Sequence, residues 1–278
     1  MILHHAQGDE RFPVDVERLA LEWPQVLDPE APITKVVERP LEGFEGALVE
    51  GRSRGRGWGI AYSKDISSPG RRRFTIAHEL GHYLLHRDLE AGGFQCSQAD
   101  MAMWDHDKDP REPEANRFAA WLLMPFDDFR AQQPSRDPAD LDRLGELATR
   151  YGVSLMACAL RWLEYTDQRA VLVVARDGFV LWAKSSKPAL RSGHFIRSKK
   201  VAPREIPAGS PLTLEANAVV AHAAGVWFDE PLLEEVILSD RYELGLSLLT
   251  FPRVSAQTDH ATEEEPDLLH LMSGRGKP

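Results

Sequence analysis

Residues 71–88, RRRFTIAHELGHYLLHRD, hold three histidines four positions apart, with a glutamate directly after the first. On an α-helix, positions i and i+4 share a face about one turn apart, so His78 and His82 can offer ring nitrogens to one ion at about 2.0–2.1 Å. Glu79 is rotated by about 100° from His78. There it can hold a water in the open coordination position and serve as its general base. The chemistry implied is metal-assisted hydrolysis, with zinc as the natural occupant; manganese or another divalent ion also suits these donors. The competing reading is a surface helix that happens to be rich in histidine. Phe74, Ile76, Ala77, Leu80, Leu84 and Leu85 argue against it, because they make the helix apolar enough for burial, where ionisable side chains need partners.

A catalytic zinc commonly has three protein ligands. His86 lies two turns beyond His78, a rise of about 12 Å, too far for both to reach one ion. It is expected in the core or behind a ligand rather than on the metal. The candidates after His82 are Glu90, His106, Glu112 and Glu114. His106 falls in a stretch without periodicity, whereas both Glu112 and Glu114 open a helical pattern, and rigid placement favours them. Glu112 shares a helix face with Ala115 and Asn116, and a small residue there permits close helix approach. Glu114 points away by about 200° and is read as an acidic residue favoured by the helix dipole.

The elements that must position these residues follow from periodicity and breakers. PVDVERLALEW (13–23) reads as a helix, with Pro13 in its first turn. ITKVVER, FEGALVEG and GWGIAYSKD read as two or three strands of a small sheet. The histidine helix begins at Ser68 or Gly70. Residues 88–111 read as a long loop with one helical turn at most, REPEANRFAAWLL as a second helix ending near Pro125, and a further helix starts around Phe126. DPADLDRLGELATRYGVSLMACALRWLEYT (137–166) has a helix-turn-helix outline broken at Tyr151-Gly152, with Ser154 as the second N-cap. RAVLVVARDGFVLWAKSS predicts a β-hairpin turning at Asp177-Gly178. Residues 185–211 read as mostly loop, 214–225 as a helix, and LEEVILS and LGLSLLTF as strands. An α+β chain of two units results. The boundaries are 1–136, a helix-turn-helix-like segment at 137–167, a smaller α+β region at 168–254, and a disordered acidic tail at 255–278.

Composition narrows the function. A net charge of -10 opposes a protein that grips nucleic acid or anionic membrane over its whole surface. Cys96 and Cys158 form no CxxC pair, which points away from cysteine-type zinc sites and disulfide frameworks. With no secretory leader in the first residues and no apolar run long enough to span a bilayer, the expected location is the cytoplasm.

RFTIAHELGHYLLH followed by EPEANRFAAWLLMP resembles the ImmA/IrrE family of metallopeptidases, over roughly residues 12–165. The resemblance implies a zincin-like domain of the gluzincin kind. His78, His82 and Glu112 would be the metal ligands and Glu79 the catalytic base. Asn116, one turn after Glu112, would hydrogen-bond a ligand from behind. It also implies a protein substrate, an XRE-type helix-turn-helix repressor whose cleavage releases stress, DNA-damage or mobile-element genes. The layout is similar to the IrrE and PprI radiation-response members, whose C-terminal region is GAF-like and sensor-like.

The helix-turn-helix outline is poor in base-reading side chains. Its second helix offers Arg161 beside Glu164, and Arg143 and Arg150 on the first are offset by Asp140, Asp142 and Glu146. Packing or repressor docking is expected in place of sequence readout. The clusters Arg71-Arg72-Arg73 and Arg197-Ser198-Lys199-Lys200 leave room for nucleic acid as an activator, although a solvated face is the commoner reading. A different class of function, a non-catalytic regulator whose metal only holds the fold, would need a closed four-ligand site. His86, His106 and Arg72 are weak candidates for the oxyanion donor.

Overall fold

The structure is a computed structural model that describes residues 11–51, 57–89, 93–96, 110–197, 203–239 and 244–252. Glu90, His106 and the expected tail at 255–278 lie outside the described residues, as does most of the cluster at 197–200. The described chain is α+β, with two sheets.

The first sheet has the order β1-β3-β2-β4, built from Ile33–Arg39 (β1), Gly46–Glu50 (β2), Trp58–Ser63 (β3) and Gly93–Cys96 (β4). β1 and β3 run parallel, while β2 is antiparallel to both β3 and β4. β4 corrects the reading of residues 88–111 as loop. It pairs across Val49–Gly46, and long-range pairing of this kind leaves no local period in a four-residue strand. Gly93 has a φ of 108°, and a Cβ there would stand 2.0 Å from the Leu48 carbonyl oxygen, so only glycine lets the chain enter this edge.

Val16–Leu27 (α1) starts after Asp15, whose side chain caps Arg18 N, so Pro13 precedes the helix where a first-turn position was expected. Pro69–His86 (α2) begins on the Ser68 cap, with Pro69 in its first turn. It packs on β2, β3, α1 and on Arg111–Leu123 (α3). Leu85, expected on the apolar side, is exposed. Phe126–Gln132 (α4) follows. Leu141–Tyr151 (α5) ends on Gly152 in the left-handed region, and Leu155–Leu163 (α6) starts on the Ser154 cap, as the sequence indicates. Arg161 is fully buried: its Nε donates to the Met124 carbonyl, its Nη1 to Glu164, and its guanidinium lies 3.4 Å from the Phe126 ring centroid. Arg150 is paired with Asp128 and Arg143 with Glu146. All three arginines thus have partners within the chain.

The second sheet is antiparallel throughout, in the order β7-β6-β5-β10-β9-β8. Its strands are Ala170–Arg176 (β5), Phe179–Ser185 (β6), Arg204–Glu205 (β7), Ala218–His222 (β8), Leu232–Ser239 (β9) and Leu244–Thr250 (β10). The β5–β6 turn carries positive φ at both Asp177 and Gly178, the geometry that a two-residue hairpin favours. The apolar run of β5 is buried on both faces. Ala170 and Leu172 belong to the core that also holds Ile60, Leu80, Tyr151 and Trp162, and Val171, Val173 and Ala175 to a second core with Trp227 and Leu249. The first core thus continues across residue 168. Glu235 extends the link, since its carboxylate accepts from Leu141 N at the start of α5.

One reading is corrected here and another is made finer. Residues 214–225 contain the strand β8 in place of a helix: Val219 and Val220 pair with Glu235 and Glu234, and pairing overrides the helical preference of the alanines around them. Residues 185–211, read as mostly loop, include the short helix Lys187–Arg191 (α7) and β7. Ser186 caps α7, and Pro188 sits in its first turn.

Glu234 on β9 is fully buried and accepts four hydrogen bonds. Ser210 and Ser247 hydroxyls donate to Oε1 at 2.7 and 2.8 Å; His222 Nε2 and Trp227 Nε1 lie 2.7 and 2.8 Å from Oε2. One side chain thus ties the turn at 210 to β8, the 227 loop and β10.

Candidate metal centre

The helical period of α2 turns His78, His82 and His86 to one side, and α3 supplies the rest of the site. The two helices approach closely because Gly81 faces Ala115: a Cβ on Gly81 would lie 3.2 Å from the Ala115 Cα and 3.0 Å from the Phe118 ring. Ala115 was visible in the sequence as the small residue at the contact. Gly81 was not singled out, although it sits between the two histidines of the motif.

At this crossing the Nε2 atoms of His78 and His82 are 3.0 Å apart. Glu112 places Oε2 at 3.2 Å from His78 Nε2 and Oε1 at 3.4 Å from His82 Nε2. Ligands at about 2.0–2.1 Å from a tetrahedral ion stand about 3.3 Å from one another. The triangle therefore fits a divalent cation with shifts of a few tenths of an ångström. Both imidazoles are fully buried, and His78, His82 and Glu112 are the group among the described residues whose donors converge in this way. A buried set of two nitrogens and a carboxylate matches the borderline preferences of zinc and accepts manganese.

The charges of the metal-free triangle are complementary to a cation. Burial works against ionised Glu112, but hydrogen bonds and charge from His78 and His82 hold it well below the usual carboxylate range. Burial lowers the His78 pKa, yet Glu112 and Glu79 outweigh it and the net shift is upward. His82 is shifted down by burial, with His78 and His86 adding to the effect against Glu112. An ion needs both Nε2 atoms unprotonated, so metal binding there competes with protonation of these rings.

Behind the triangle, His78 Nδ1 is 3.0 Å from Asn116 Oδ1, and His82 Nδ1 is 3.0 Å from His86 Nδ1. Asn116 and His86 thus stand behind the ligand candidates. His86 has both ring nitrogens engaged, since Nε2 lies 3.0 Å from Glu114 Oε2. Glu114 does stand in the first turn of α3, as the dipole reading has it, and the crossing of α2 and α3 also brings it onto His86, which helix periodicity alone could not reveal. Arg72, the other described oxyanion candidate, lies over the Tyr62 ring at 5.7 Å. Phe94 on β4 stacks on His82 with centroids 4.6 Å apart and planes 13° from parallel. Sequence reasoning missed Phe94 because it lies in the segment read as loop; its one signal was an aromatic residue between Gly93 and Gln95.

Glu79 is fully buried on the same helix. Its carboxylate lies against β2 at Gly46, where a Cβ would come within 2.3 Å of Glu79 Oε1 and 2.7 Å of Thr75 Cγ2. Gly46 therefore makes the space that Glu79 occupies. Gly46→Ala is expected to cost about 1–3 kcal/mol through overpacking and to turn the Glu79 carboxylate. Chemical denaturation measures the first effect; a change below about 0.5 kcal/mol would show that β2 yields freely.

The family model Peptidase_M78, the IrrE N-terminal-like domain, matches residues 29–163. That stretch contains the triangle, Glu79, Asn116 and both helices. The chain carries a domain of this peptidase family. No curated relative matches the chain. The family-model match agrees with the resemblance carried by the HELGH helix and the EPEANRFAAWLLMP helix, and it points to a metallopeptidase-type function.

Proposed function

We propose that the chain is a metal-dependent endopeptidase whose ligands are His78, His82 and Glu112 and whose general base is Glu79. The observation that carries this reading is the convergence of three donors from two helices beside a buried glutamate on the same helix. A divalent cation bound there supplies Lewis acidity, acidifying a water and polarising a peptide carbonyl. Glu79 takes the proton of the attacking water on a carboxylate oxygen and returns it to the leaving amine nitrogen. Asn116 and His86 hold the two imidazoles from behind, and Phe94 shields one face of His82 from solvent.

The substrate we propose is an XRE-type helix-turn-helix repressor, cut to release stress, DNA-damage or mobile-element genes; this rests on the family resemblance. The intramolecular commitments of Arg143, Arg150 and Arg161 support protein docking over base readout for α5 and α6. Nucleic acid is retained as an activator that meets other surfaces, and the antiparallel sheet of β5–β10 as a GAF-like sensor. Among the described residues no helix is long and apolar enough to cross a membrane, and we place the protein in the cytoplasm.

The test is to incubate the purified chain with a candidate repressor, with zinc or manganese and with excess chelator. The expected result is one defined cut that the chelator abolishes and added metal restores. A cut that survives complete metal removal would refute the mechanism.

A further inference from the structure

The two ligand histidines are backed differently. His78 is held by an amide oxygen, an acceptor, and its Nδ1 must therefore donate, leaving the Nε2 lone pair for the ion. His82 is backed by another imidazole, which can donate or accept. If His86 carried its proton on Nδ1, it would donate to His82 Nδ1, and the His82 proton would then sit on Nε2, where the ion must bind. The pair is ambiguous by itself.

Glu114 resolves the ambiguity. An ionised carboxylate only accepts, and its Oε2 lies 3.0 Å from His86 Nε2. The proton of His86 is thereby kept on Nε2, its Nδ1 accepts, His82 Nδ1 donates, and the His82 Nε2 lone pair faces His78 and Glu112. The order runs from a side chain that is 56% exposed, through one that is 2% exposed, to one that is fully buried. We propose that Glu114 is a positioning residue for the metal centre, setting the proton arrangement of His86 and through it presenting the His82 nitrogen to the ion. This rests on the metal-centre reading given above.

Outer hydrogen-bond partners of metal-bound histidines typically change affinity by about 10- to 100-fold. With the full-length chain, zinc affinity is measured by competition against a chromophoric chelator for wild type, Glu114→Ala and Glu114→Gln. Long-range ¹H–¹⁵N spectra of the metal-free imidazoles report the tautomers. Glu114→Ala is expected to weaken zinc about tenfold and to turn His86 from a single Nε2–H form into a mixture. Glu114→Gln keeps an acceptor oxygen but adds an N–H₂ donor that can also face His86, so both properties are expected between those of wild type and Glu114→Ala. Unchanged affinity or an unchanged His86 tautomer in Glu114→Ala overturns the proposal, and so does a Gln variant that loses affinity while keeping the Nε2–H form of His86, which would assign the effect to charge. A wild-type chain that takes up no zinc or manganese would instead sink the metal centre itself, and this inference with it.

Discussion

Glu79→Gln is expected to retain metal at the wild-type stoichiometry and to lower peptide cleavage by about a hundred- to ten-thousand-fold, the range that general acid–base catalysis supplies. The amide is nearly isosteric with the carboxylate, so it fits the space that Gly46 leaves. It cannot accept a proton at neutral pH. The ligands His78, His82 and Glu112 are untouched, which separates loss of the base from loss of the ion. Metal content by atomic spectroscopy and single-turnover cleavage of the repressor decide the matter. Cleavage within threefold of wild type would remove Glu79 from the role of base and would favour a metal that only holds the fold.

Glu234→Ala is expected to be the most destabilising single change in the second sheet. It deprives four buried groups of their acceptor at once: the Ser210 and Ser247 hydroxyls, the Trp227 indole N–H and His222 Nε2. Removing one member of a buried polar cluster commonly costs about 3–5 kcal/mol, because what remains is desolvated and unpaired. For a chain of this size that corresponds to a melting temperature lower by roughly 10 °C. Glu234→Gln should fall between, since one oxygen still accepts while the amide N–H₂ meets donors. Thermal melting of both variants is the check; a shift under about 2 °C in Glu234→Ala would mean that water replaces the lost acceptor.

Much of the site was legible because its parts are local. His78, Glu79 and His82 lie within one helical turn and a half, and the helix period alone brings the imidazoles onto one face. Glu112 was legible for the same reason, sharing a face of the second helix with Ala115, whereas the role of Asn116 was expected from the family resemblance. Helix caps at Ser68 and Ser154 and the Asp177-Gly178 turn also encode their geometry within a few residues. The run of β5 was readable as a strand, although burial on both of its faces depends on what packs there.

Tertiary structure decided the remainder. Glu114 acquires its partner only from the angle at which α3 meets α2, Phe94 reaches His82 only because β4 joins the edge of β2, and Gly46 matters only because Glu79 fills the space above it. β8 defeated a helical reading through its pairing with β9. By itself the sequence determined which groups could bind an ion and on which helix faces they stand, because covalent spacing and the α-helical repeat are short-range constraints. Which groups stand behind them, and how closely, was settled by contacts between segments far apart in the chain, whose geometry no local period records.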